Sequence, residues 1–116
     1  MVTDLAFLKE TTSDNNESIH RLIKMYIEQA ACLVETIKRS YDGKDWKKMD
    51  QAAHTLRGML HYMGVEAIKN DVKVIETHAN QKQDAADLPA LIARVEKICS
   101  ASIEELKNYL KENPLT

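Results

Sequence analysis

The chain has 116 residues, which suits one domain with a core of its own, needing neither disulfides nor a metal to hold it. Sixteen basic against eighteen acidic side chains give a net charge of −2, a balance that argues against a nucleic-acid binder and against electrostatic docking on anionic membranes. Aromatic residues make up 5%, with only three glycines and two prolines, so the composition favours an all-helical protein over a sandwich or a barrel.

The opening segment MVTDLAFLKE carries early acidic residues and no long apolar run, so it does not read as a signal peptide. Within it, Asp4 to Lys9 can form one or two helical turns with Leu5 and Leu8 facing inward. TTSDNNES supplies the start of a first long helix: Asp14 can cap it and Glu17 can reach back, as in a capping box. Apolar residues then recur at Ile19, Leu22, Ile23, Tyr26, Ala30, Leu33, Ile37 and Tyr41 with helical spacing. Asp42 and Gly43 end that helix, Gly43 suiting a left-handed cap. Asp45 caps a second helix whose stripe is Trp46, Met49, Ala53, Leu56, Leu60 and Met63, and Gly64 stops it. The third helix turns Ile68, Val72, Ile75 and Ala79 inward and fades in NQKQD. Asp87, with Pro89 in the first turn, opens a fourth. Leu91, Val95, Ile98, Ser102, Leu106 and Tyr109 form its stripe, and Asn113-Pro114 closes it.

Short connections between these helices predict antiparallel neighbours. The fold class is therefore all-α: an antiparallel up-down four-helix bundle with a short additional N-terminal helix, one domain over residues 1–116. No window reaches the roughly 20 apolar residues that span a bilayer. Cys32 and Cys99 both fall on apolar stripes without metal-type spacing and read as buried, reduced thiols, which fits a cytoplasmic protein.

The segment HTLRGMLHYMG, His54 to Gly64, carries the chemistry. A glycine inside a helix costs about 1 kcal/mol relative to alanine, so Gly58 needs a reason. At about 100° per residue, His54 lies roughly 130° from the apolar stripe and Gly58 farther still. Gly58 thus does not serve close helix packing; it clears space beside an outward imidazole. Lys47, Gln51, His61 and Tyr62 share that outer side, and Arg57 lies between the stripe and His54. A neutral ring nitrogen is a competent nucleophile toward a phosphoryl group. Such transfer needs in-line approach and compensation of negative oxygens, which a guanidinium one turn away can supply.

AAHTLRG, then MG six residues on, then the pair Ile75-Glu76, resembles the histidine-containing phosphotransfer (HPt) domains of two-component phosphorelays. YDGKDWKKMDQA also looks like that family's approach to its phosphorylated helix. The resemblance implies that His54 accepts a phosphoryl group on Nε2 from a receiver's aspartyl phosphate and passes it to the aspartate of another receiver. It implies that Arg57, where the family usually has lysine, stabilises the phosphate, that Gly58 leaves room for it, and that Glu76 orients the ring. Met59, Leu60, His61 and Tyr62 are bulkier than the family's residues after the glycine. Tyr62, Met59, His61, Gln51 and Lys47 are the implied receiver contacts. The implied partners are response-regulator receiver domains and/or a hybrid sensor histidine kinase, with the chain itself a monomer. It needs no cofactor, since the receiver brings Mg²⁺. Met1 and the capped ends lean toward a free-standing protein rather than a domain of a hybrid kinase.

Two other readings remain. A metal-binding bundle could use His54, His61, His78 and Glu76, although histidines seven apart miss the usual ligand spacings and no Glu-x-x-His motif occurs. A receiver-binding scaffold without transfer is the other, against which His54 itself speaks. An ATP-using kinase is disfavoured, because Gly43, Gly58 and Gly64 form no phosphate-cradling loop. His20 and His78 read as structural or solvated.

Overall fold

The computed structural model describes residues 1–115. Its helices are α1 (Ala6–Thr11), α2 (Asn16–Asp42), α3 (Trp46–Tyr62), α4 (Lys69–Asn80) and α5 (Leu88–Glu112), with a 3-10 turn at Glu66–Ile68 leading into α4. No strand occurs among the described residues. The all-α, four-helix expectation therefore holds, with α1 as the short extra helix.

Local chemistry explains the boundaries, including three that differ from expectation. The Asp4 carboxylate accepts the Ala6 N–H at 2.9 Å, while the Asp4 N–H donates to the Met63 carbonyl at 3.1 Å, so α1 starts two residues late. Asp14 does not cap α2. With Ser13 it adopts positive φ, and its N–H donates to the Lys9 carbonyl at 2.8 Å, closing α1. Asn15 caps α2 instead, its side chain accepting from Ser18 N at 2.9 Å. At the other end Gly43 keeps a right-handed φ of −86°, and the left-handed residue is Lys44 at +54°. A non-glycine residue there costs roughly 1–3 kcal/mol. That cost is offset by its ammonium, which sits 3.6 Å from the Tyr41 ring centroid and 3.1 Å from Asp84. Asp45 caps α3 through Lys48 N at 3.2 Å. Gly64 terminates it at φ +66°, where an added Cβ would lie 2.1 Å from the Asp4 carbonyl oxygen. Only glycine fits there.

The helices form a ring in which α2 packs on α3 and α5, and α4 on α3 and α5. Contacts run in opposite order along each pair: Asp50 with Asn80 and His61 with Lys69 between α3 and α4, His20 with Asn113 and Lys38 with Glu96 between α2 and α5. These pairs are antiparallel. At 1.5 Å per residue α2 and α5 run to about 40 Å and outreach α3 and α4. The N-terminal segment and α1 fill the space beyond the shorter pair. Leu8 is fully buried there, and Glu105 of α5 accepts from the N–H groups of Val2 and Thr3 at 2.7 and 3.0 Å.

The core follows the predicted stripes with small rotations. Ile19, Ile23, Tyr26, Ala30 and Ile37 are buried, and Val34 takes the inner position expected of Leu33. On α5 the buried line is Leu88, Ile92, Val95, Cys99, Ser102 and Leu106, leaving Leu91, Ile98 and Tyr109 on its edges. Cys32 is exposed rather than buried; two residues from both Ala30 and Val34, it lies about 200° around the helix from the core line. Cys99 is buried, and burial pushes its thiol up to about 11. A polar link across this core joins the Tyr26 hydroxyl to Ser102 at 2.7 Å, and burial raises the Tyr26 phenol as well. No described helix is long and apolar enough to cross a membrane.

Candidate functional site

Buried Ala52, Ala53 and Leu56 fix the inner face of α3 and so set the direction of the residues between them. His54 points to solvent, its side chain 69% exposed. Beyond its own helix and chain neighbours, a Cβ at Gly58 would meet nothing within 4 Å. The clearance inferred from spacing is present in the fold.

The imidazole is nonetheless held. Its Nδ1 lies 2.7 Å from Glu76 Oε2 on α4, and the other carboxylate oxygen forms an ion pair with Arg57, Nε lying 3.1 Å away. Glu76 is the hub: its side chain is only 17% exposed, and a carboxylate in that setting gains from being paired on both oxygens. The carboxylate can only accept, so Nδ1 carries the proton and the Nε2 lone pair faces water. Arg57, half-buried, is anchored to Glu76, a link the sequence reading did not foresee.

His61 makes an instructive contrast on the same outer face. Its Nδ1 lies 3.2 Å from the Lys69 ammonium, which can only donate. The Nδ1 lone pair is thereby used, and the proton of the neutral ring sits on Nε2. Two exposed histidines on one helix are set in opposite tautomers by a carboxylate and an ammonium on the neighbouring helix. Of these two, His54 is the one that offers a free outward lone pair.

Of the remaining sequence candidates, Lys47 and Gln51 are exposed on α3 ahead of His54. Tyr62 is exposed, at 47%. Met59 is half-buried and turns toward α2, lining a groove with Leu22, Met25, Tyr26, Gln29, Tyr62 and Met63. That flank is opposite to Glu76, so Met59 does not wall off the histidine. Phe7 of α1 was not foreseen: its ring lies 4.7 Å from that of His61 and 5.5 Å from that of Tyr62. With Met25 it extends an exposed apolar patch beyond the end of α3. Its outward position next to inward Leu8 was the available signal.

His20 is buried, with Nε2 bonded to the Asn113 carbonyl, a tie between α2 and α5. His78 has a buried Nδ1 with no partner. Among the described residues, no group of three or more His, Cys, Asp or Glu could hold a metal ion.

An antiparallel helical bundle that presents one carboxylate-oriented histidine beside a cleared glycine has the form of a histidine phosphotransfer module. The Hpt domain family profile matches residues 21–112, and the chain belongs to that family. No curated protein sequence matches it. Among solved structures, the crystal structure of histidine-containing phosphotransfer protein B (HptB) from Pseudomonas aeruginosa PAO1 is similar. It has a TM-score of 0.84 and 16% identity, with 96% of each chain covered; at that identity the likeness speaks for the fold.

Proposed function

We propose that this chain is a phosphorelay intermediate in which His54 is the phospho-acceptor. The Nε2 lone pair attacks the phosphorus of a receiver's aspartyl phosphate in line. The Nε2–P bond forms as the P–O bond to the aspartyl group breaks, and the aspartate leaves as a carboxylate. Because Nδ1 keeps its proton, the ring gains positive charge, which the Glu76 carboxylate 2.7 Å away stabilises. The reverse displacement delivers the phosphoryl group to the aspartate of a second receiver. Arg57 fixes Glu76 and, through its outer N–H groups, faces the developing phosphoryl charge. Gly58 provides clearance for that group and for the receiver.

The partners are receiver domains, free or within a hybrid sensor kinase. The receiver supplies the aspartate and Mg²⁺, so this chain acts as a relay and not as an enzyme in its own right. Gln51 and Lys47 on one side of His54, and Met59, His61 and Tyr62 on the other, form the docking face, to which Phe7 adds its ring. The chain works as a monomer in the cytoplasm.

The observation that carries this reading is the opposed setting of the two histidines: Glu76 on His54 Nδ1 and Lys69 on His61 Nδ1. The test is phosphotransfer from a phosphorylated receiver to wild type, His54→Gln and His61→Gln. Loss of acid-labile label in His54→Gln alone, at unchanged helicity, is the expected result. Label retained in His54→Gln would remove His54 from the role.

A further inference from the structure

The seam between α3 and α4 keeps one register along its length. Asp50 meets Asn80, His54 meets Glu76 and His61 meets Lys69, so each step forward on α3 matches an equal step back on α4. The same register sets Val72 opposite Gly58 and Lys73 opposite Arg57. Lys73 stands one turn from Glu76 on the solvent side of the seam. It is exposed, and among the described residues its ammonium makes no ion pair.

The charges around His54 need such a group. Arg57 turns its Nε to Glu76 at 3.1 Å, so the pair carries little net charge, and the outer N–H groups of Arg57 need a second cation beside them. A phosphoryl group brings about −2 at neutral pH, and on His54 it would stand close to the Glu76 carboxylate. Lys69 is occupied by Glu66 at 3.4 Å and by His61 at 3.2 Å. Lys47 lies two turns away from His54 along α3 itself, on the far side from Gly58. Lys73 combines an unpaired charge, a flexible stem and a place on α4 opposite Arg57, next to the position that faces Gly58.

We propose that Lys73 is a phosphoryl-binding residue: its ammonium reaches over the Gly58 gap to the oxygens of the group carried on His54. This rests on His54 being the acceptor, and the experiment separates the two ideas. The full chain is phosphorylated with phosphoramidate, which requires no receiver; the Nε2–P bond forms as the donor's P–N bond breaks and ammonia leaves. Initial rates and phosphohistidine half-lives are compared for wild type, Lys73→Met, Lys73→Arg and His54→Gln. Lys73→Met should slow labelling of His54 about five- to ten-fold, with a flatter salt dependence and unchanged helicity. Lys73→Arg should stay within about two-fold of wild type, since it restores the charge. Wild-type rates in Lys73→Met, or failure of arginine to rescue, would overturn the assignment and leave His54 standing. Label on His54→Gln would instead overturn the acceptor reading beneath it.

Discussion

Replacing Glu76 by glutamine isolates the charge at the hub of the site. The amide keeps the shape and one accepting oxygen but cannot compensate a positive ring, and it leaves Arg57 without its partner. A hydrogen bond to a charged group contributes about 1.5–3 kcal/mol. The 2.7 Å distance and the sheltered carboxylate favour the upper part of that range, while the 69% exposure of the His54 side chain favours the lower. Taking ~1.5–2 kcal/mol, transfer should slow roughly 10–30-fold, with little change in melting because the site faces water. Single-turnover rapid-quench transfer from a phosphorylated receiver reads the rate. Long-range ¹H–¹⁵N spectra read the ring, which should carry its proton on Nδ1 in wild type and lose that preference in Glu76→Ala. A Glu76→Gln rate within about two-fold of wild type, or a wild-type ring protonated on Nε2, would refute the reasoning.

Gly58→Ala should raise the melting temperature, stabilising α3 by about 1 kcal/mol because the new Cβ meets nothing within 4 Å. Gly58→Gln should keep that helicity yet block transfer from a receiver; transfer that persists would mean the clearance has no role. Gly64→Ala should destabilise the fold by at least ~2 kcal/mol in urea titrations, since both its φ of +66° and the 2.1 Å approach to Asp4 oppose a side chain. Alkaline pH should also destabilise the bundle. Burial pushes Cys99 from 9.0 to about 11, so the folded state holds the proton more tightly. Stability is intact below about pH 9 and falls as pH rises through 11, by up to ~3 kcal/mol. Tyr26, shifted in the same direction, adds to the loss. Denaturation midpoints that stay flat across that window would contradict the buried placement of these groups.

What could be read from sequence divides along physical lines. Helical periodicity placed Ala53, Leu56 and Leu60 inside and His54 outside, because a 17-residue helix with one apolar face has a single way to bury it. Asp45 and Gly64 were legible because an N-cap side chain and a left-handed stop are local requirements. Asn15 and Lys44 were not. Two adjacent candidates, Asp14 and Asn15, compete for one cap, and the choice depends on how α1 closes. Lys44 accepts an unfavourable φ because Tyr41 and Asp84 surround its ammonium, and Asp84 arrives from a loop 40 residues away. The same limit applies at the site. Glu76 entered through family resemblance rather than through any local pattern. Its grip on Arg57 and the pairing of His61 with Lys69 depend on inter-helical register, which no single helix encodes.

The most direct measurement locates the phosphoryl group itself. After transfer from a phosphorylated receiver, ³¹P and ¹⁵N spectra of the labelled chain should show one phosphohistidine, at residue 54, bonded through Nε2 with Nδ1 still protonated. A phosphoryl group on the Nδ1 nitrogen, on His61, or on any other side chain would contradict the account.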